Sequence, residues 1–288
     1  MKYKNELVML FNQAINNVKF PVYQSNARKL HESYYFLAYL SFLHNSIYYS
    51  RFSFLVNNVL ISGIYLNEKV NAWSNAGIFT NMLQILRQKY IESSKFTNNN
   101  TLFIDGKIII NKFGTKSIGR CIKFKSKNTI NRARKRRLQL LVDGNGTGLG
   151  CVIMPGNNSE ISNMISILNK IGLPDANKWK KSKRFRKKFI ADAGYNSERN
   201  KEFIKEKGYI PLIWYNKRKT KCEKKIKENK LTKKEMVVYK KRHLVENMNA
   251  WIEQIIPRMA KVFDKKIRNY LSMVELAFIY LFFKKGCV

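Results

Sequence analysis

The sequence predicts a mixed α/β sheet with helices on its faces, preceded by a small all-α domain, and three observations carry that prediction. Two short apolar stretches rich in β-branched and aromatic residues, Thr101–Ile110 and Lys188–Asp192, read as strands, and each bears an aspartate. A Gly-rich turn joins two apolar runs between Leu138 and Met154, as in a hairpin. Near the C-terminus, Tyr239, Arg242, Glu246 and Glu253 recur at helical spacing on one stripe, while Val238, Val245, Met248, Ile252, Ile255 and Ile256 fill the adjoining face.

Composition narrows the function. The chain has 288 residues with 55 Lys+Arg against 19 Asp+Glu, a formal net charge of +36. So basic a protein repels itself unless it meets a polyanion, which points to DNA, RNA or an acidic membrane surface. The basic residues cluster around an α/β pattern rather than along one amphipathic helix, which favours nucleic acid over a membrane. Cys121, Cys151, Cys222 and Cys287 form no CxxC pair and have no nearby His, so neither a zinc site nor a disulfide framework is predicted. The N-terminus carries no signal-peptide core, and the longest apolar run, Val274–Phe283, is too short to span a bilayer. A soluble protein of a reducing cytosol or nucleus is expected: cytoplasm or nucleoid in a prokaryote, nucleus in a eukaryote or its virus.

Residues 1–95 read as a helical head, with apolar clusters at Tyr34–Leu40 and Phe54–Ile61 taken as helical and Gly77 as a break between two helices. Whether this head binds DNA or only packs is open at this stage. The polar run Ser93–Asn100 marks a boundary, leaving 96–288 as the second domain. Asp105 then sits inside a strand, although an Asp-Gly turn at 105–106 is the plainer alternative; Asp is disfavoured in strands, and a partner cation would resolve that cost. The Gly-, Lys- and Arg-rich stretch from Gly114 ends in Arg132, Arg134, Arg136 and Arg137 and reads as a phosphate-contacting loop. After the hairpin, Asn158 or Ser159 caps a helix through Lys170. Residues 177–188 hold Arg184, Arg186 and Lys187 among further lysines, with Trp179 and Phe185 between them, a mixture suited to phosphates and bases or else a solvated face. The strand ending at Asp192 is followed by a helix capped by Asn196 or Ser197 and stopped by Gly208, then by a strand over Tyr209–Tyr215. A second basic stretch covers 216–234, and the last helix, Asn269–Lys284, is expected to cover the sheet.

At these residues the chain resembles a family, the DDE transposases of bacterial insertion sequences, in particular the group with a Tyr-Arg-Glu-Lys signature. Ile104-Asp105-Gly-Lys is similar to its first-aspartate strand. Leu141-Val-Asp143-Gly, with Met154-Pro-Gly-Asn157-Asn-Ser-Glu160-Ile, resembles the hairpin and helix start that follow. Ile190-Ala-Asp192-Ala-Gly194-Tyr195-Asn-Ser197 looks like the second-aspartate motif, and Tyr239-x2-Arg242-x3-Glu246 like the helix carrying the catalytic glutamate. Two positions depart: Glu253 stands where the signature has Lys, and Asn247 where a basic residue usually follows the glutamate. The resemblance implies a ribonuclease-H-like catalytic domain over 96–288, with Asp105, Asp192 and Glu246 both catalytic and metal-holding. It also implies two Mg²⁺ ions, with Mn²⁺ as a substitute. Double-stranded DNA, both terminal inverted repeats and target, would be the substrate, bound by a homodimer or higher oligomer with no membrane involved. Tyr239, Arg242, Arg134, Arg136, Arg137, Arg184, Arg186 and Lys187 are the expected DNA contacts. The alternative is a transposase-derived DNA-binding protein that no longer cuts, which Glu253 and Asn247 motivate.

Overall fold

A strand whose residues alternate between two packed faces is the natural centre of such a domain, and β3 (Thr101–Ile110) occupies that place. The computed structural model describes residues 2–20, 30–44, 48–99, 101–110, 125–126, 129–130, 135–156, 158–179, 187–214, 231–257, 259 and 266–287. Contacts divide the chain into two compact units, residues 1–89 with 251–288, and residues 90–250.

The first unit is mainly helical. It contains α1 (Lys4–Val18), α2 (Glu32–His44), the hairpin β1 (Ser53–Val56) and β2 (Val59–Ser62), α3 (Gly63–Ala76), the greater part of α4 (Ile78–Glu92) and α10 (Ile267–Lys284). Its core is aromatic. Phe11 stacks on Phe36 at 4.1 Å and meets the edge of Trp73 at 5.0 Å. Each such ring removes on the order of 150–250 Å² from water and anchors the helices that carry it. The buried Glu32 is compensated: Trp73 Nε1 donates to its Oε2 at 2.9 Å, and the Lys69 ammonium pairs with Oε1.

Two expectations fail in this unit. Phe54–Ile61 is a hairpin, not a helix, because Asn57 and Asn58 take left-handed φ of 46° and 59°, the requirement of a tight type I′ connection. The last helix, expected over the sheet, belongs to this first unit and packs on α3. A polar ladder joins the two, with Asn269 Nδ2 donating to Asn71 Oδ1 at 2.9 Å, Ser272 Oγ on Ser74 Oγ at 3.0 Å and Arg268 on Asn75 Oδ1 at 3.1 Å. Gly77 does break α3 from α4, at φ 74°.

The second unit holds α5 (Ser94–Thr97), a two-residue pairing of β4 (Lys125–Ser126) with β5 (Thr129–Ile130), and the main sheet. That sheet has five strands in the order β7-β6-β3-β8-β9, with β6 (Lys135–Asp143), β7 (Gly148–Pro155), β8 (Lys188–Ala191) and β9 (Ile210–Ile213). β6 runs antiparallel to both of its neighbours, β7 and β3, and β8 and β9 run parallel to β3. The helices α6 (Glu160–Ile171) and α7 (Glu198–Glu206) make the crossovers, packing on β7 and β9 respectively. This is the expected mixed sheet flanked by helices.

Local chemistry accounts for the turns. Asp143 is buried in the β6–β7 turn, where Oδ1 accepts from Asn145 N at 3.0 Å and Thr147 N at 2.7 Å and Oδ2 accepts from Tyr90 OH at 2.5 Å. Ser197 Oγ caps α7 by accepting from Asn200 N at 3.2 Å, and Gly208, at φ 83°, follows the helix end. The next helical stretch opens with a capping box between Thr232 and Glu235. It runs as α8 (Lys233–Tyr239), a tighter 3₁₀ turn (Lys240–Arg242) and α9 (His243–Ile255).

Candidate active site

The strand register brings two carboxylates together. Ile104 pairs with Ala191 across the parallel β3–β8 ladder, so the next residues, Asp105 and Asp192, emerge side by side. The Asp-Gly turn does not form, since β3 continues through 105–106 in register with β6. Asp105 stays in its strand with Oδ1 accepting from Gly106 N at 2.8 Å. Asp192 leaves the sheet and caps the 3₁₀ turn Ala193–Tyr195, its Oδ1 accepting from Ala193 N at 2.6 Å.

The partner cation that an aspartate in a strand requires is Arg242. Its Nη2 lies 3.5 Å from Asp105 Oδ2, and its Nη1 donates to Asp192 Oδ1 at 3.2 Å. Nη1 also reaches Tyr239 OH at 3.2 Å, and the guanidinium carbon stands 5.6 Å from the centre of that ring. Trp214 meets the Tyr239 ring at 5.7 Å and 64°. Tyr239 and Arg242 lie together because side chains three apart eclipse in a 3₁₀ turn.

Three residues wound at 3.0 rather than 3.6 per turn add about 60° of rotation, which turns Arg242 onto the line of Tyr239 and leaves Glu246 within about 40° of it. Glu246 lies on the first turn of α9, exposed. Among the described residues no three acidic, histidine or cysteine side chains stand close enough together to hold a metal ion.

Burial sets the electrostatics. Desolvation raises the Asp105 carboxyl above the ordinary range, Arg242 opposes this, and Asp192 and Glu160 reinforce it. For Arg242, burial alone would lower the pKa, but Asp105, Tyr239 and Asp192 outweigh it and the group rises. The Tyr239 hydroxyl is likewise pushed up by burial.

A second network underlies the two aspartates. Glu160, the first residue of α6, pairs with Arg137 at 2.5 Å, and Gln139 Nε2 and Tyr195 OH each approach its Oε1 at 3.4 Å. Tyr195 OH donates to Gln139 Oε1 at 2.5 Å. A Cβ on Gly106 would stand 2.6 Å from Glu160 Oε1, and one on Gly194 3.1 Å from Oε2, so this carboxylate wedges between the segments bearing Asp105 and Asp192. Glu160, Gln139 and Tyr195 were not singled out as site residues from sequence. Glu160 and Tyr195 lie within the motifs Met154–Ile161 and Ile190–Ser197, and Gln139 within the apolar run of β6, but none of these signals reveals that the three meet.

Comparison with known proteins decides the family. The model of the transposase DDE domain matches residues 99–282. The chain belongs to the transposase DDE-domain family. That match includes Asp105, Asp192 and Glu246. No curated protein matches the chain. Among solved structures, a piggyBac transposase in its synaptic complex with hairpin DNA superposes with a TM-score of 0.40 at 10% identity, covering 98% of this chain and 74% of that one.

The remaining expected DNA contacts of this transposase-family chain are spread out. Arg134, Arg184 and Arg186 lie outside the described residues. Arg136 and Arg137 are strand residues of β6, not part of a loop: Arg136 is buried, and Arg137 is the partner of Glu160. Lys187 is buried as well. Its ammonium donates to the Phe96 carbonyl at 2.8 Å and to that of Asn99, and sits 4.3 Å from the Phe96 ring centre. Trp179 packs edge-on against the same ring at 5.4 Å. Burial holds the Lys187 ammonium down at about 8. Among the described residues no helix is long and apolar enough to cross a membrane.

Proposed function

We propose that this chain is a transposase that cuts the ends of its element and joins the freed 3′-OH to target DNA, with Asp105, Asp192 and Glu246 as the reacting-site acids. The observation that carries this reading is the pair Asp105 and Asp192, delivered side by side by neighbouring parallel strands and sharing one cation. Two carboxylates so placed, with all-oxygen donors, fit a hard divalent ion such as Mg²⁺ or Mn²⁺. Such a pair of ions, when bound, neutralises phosphate charge and activates the attacking oxygen. Asp105 and Asp192 would hold the ions, and Glu246, next to this cluster in sequence, would complete the set.

The other residues position and balance. Arg242 neutralises the aspartates or contacts a DNA phosphate, and its planar fork suits either oxyanion. Tyr239 orients Arg242 through its hydroxyl and ring. Glu160 absorbs the charge of Arg137, so that this arginine does not compete for Asp105. Phosphoryl transfer by this set needs no covalent link between protein and DNA.

A second reading, a DNA-binding descendant that no longer cuts, is favoured by Glu253 and Asn247, which remove two cations from the glutamate helix, and by the exposure of Glu246. One experiment separates them: incubation of a labelled duplex carrying the element's terminal repeat with Mg²⁺ or Mn²⁺, comparing the natural protein with Glu246→Gln. Metal-dependent nicking at the repeat that disappears in Glu246→Gln is the expected result. Binding without nicking by the natural protein would favour the second reading.

A further inference from the structure

Arg242 does more here than balance charge. Its guanidinium contacts both aspartates and therefore stands where a divalent ion shared by them would have to enter. The contacts are single-point rather than forked: one nitrogen to each carboxylate, at 3.5 Å and 3.2 Å. The buried Nε has no hydrogen-bond partner among the described residues. A bidentate arginine–carboxylate pair would be shorter and would use two parallel bonds to one acid. Leaving a buried donor unpaired is itself destabilising. The guanidinium is thus held, but not at the geometry of its tightest available pairing.

The backbone beneath it is also atypical. Arg242 closes the 3₁₀ turn Lys240–Arg242 between two α segments, and a 3₁₀ stretch inside a helix is a place where winding changes at low cost. Restoring α winding there would rotate Arg242 by about 60° away from the line of Tyr239.

We propose that Arg242 is an internal counter-ion that a divalent metal displaces from Asp105 and Asp192, and that the displaced guanidinium becomes available to a DNA phosphate. Metal loading and DNA binding then reinforce each other, because metal frees the arginine that DNA uses, and DNA draws that arginine off the carboxylates the metal uses. Reciprocity of this kind is required by linkage. The inference rests on the metal-holding role of the aspartates given above.

The test uses the full chain with Mn²⁺ alone, followed by electron paramagnetic resonance or calorimetry, and then with Mn²⁺ plus a random-sequence duplex. Without DNA, Arg242→Ala should bind Mn²⁺ about tenfold more tightly than the natural protein, the effect of removing a competitor that occupies the site for most of the time. Arg242→Gln, of similar shape without charge, should do the same and guards against a folding defect peculiar to alanine. Mn²⁺ should strengthen duplex binding by the natural protein by a similar factor and leave duplex binding by both variants unchanged. Equal or weaker Mn²⁺ binding by both variants, with Asp105→Asn still reducing it, would overturn the displacement while leaving the metal site standing. Mn²⁺ binding indifferent to Asp105→Asn would overturn the metal site and the displacement with it.

Discussion

Lys187 sits in the most basic run of the chain and yet spends its charge inward, on the carbonyls of Phe96 and Asn99. Lys187→Met should cost stability by about 1–3 kcal/mol, the penalty for leaving such acceptors unpaired, read from urea unfolding. The same variant should leave the slope of log affinity against log salt unchanged; a slope reduced by about one would mean that Lys187 contacts a phosphate after all. Gly106 makes a different residue-scale prediction. A methyl group there would meet Gln139 Nε2 at 2.5 Å and Glu160 Oε1 at 2.6 Å, so Gly106→Ala must push apart the network beneath Asp105. We expect cleavage to fall at least about tenfold, since small misplacements of a reacting group carry large rate penalties. The double variant Gly106→Ala/Gln139→Ala, which removes the atom nearest the added methyl, should recover part of the loss; no recovery would show that this contact is not the cause.

Elements were legible where one pattern had one physical meaning. The strands bearing Asp105 and Asp192, the Gly-rich hairpin and the capped helices after it all declared themselves through alternation, turn residues and caps, and they lie where those signals put them. Phe54–Ile61 did not, because its apolar residues fit both periods and only the left-handed Asn57-Asn58 pair decides for a hairpin. Asn58→Val should therefore destabilise the hairpin, by about 1–2 kcal/mol for a branched residue forced to positive φ, while Asn58→Gly is tolerated; thermal unfolding of both checks this. The 3₁₀ turn at 240–242 was invisible for another reason. Its residues are ordinary helix formers, and the tightening accompanies the contacts of Arg242 with two acids distant in sequence. Hence the shared stripe of Tyr239, Arg242 and Glu246 was legible, but the tightened turn that aligns Tyr239 with Arg242 was not. Arg136 and Lys187 were misjudged because charge runs read as surface, whereas a strand must bury every other residue and an ammonium is tolerated inside when carbonyls surround it.

At the scale of the whole molecule, charge governs both stability and partners. For the DNA partner proposed above, a formal +36 predicts an affinity that falls steeply with salt. Stability has a separate pH lever in Glu275, buried on α10, where it accepts from Thr80 at 2.8 Å and burial raises its carboxyl to about 7. The folded chain then keeps a proton that the unfolded chain gives up near 4.5. The stability this provides is complete below about 4.5 and lost as pH rises through about 7, with a ceiling of about 3 kcal/mol. Glu275→Gln should remove that pH dependence and be the more stable protein at pH 8; an unchanged pH profile would contradict the assignment.

The central claim, that Asp105 and Asp192 form the core of a metal-dependent cutting site, is tested most directly by measuring binding and nicking of one terminal-repeat duplex by Asp192→Asn. Duplex binding should be retained within about threefold and Mn²⁺-dependent nicking reduced by more than about a thousandfold, since a metal-holding acid contributes several kcal/mol to the transition state. Nicking that survives in Asp192→Asn at more than a few per cent of the natural rate would contradict the claim.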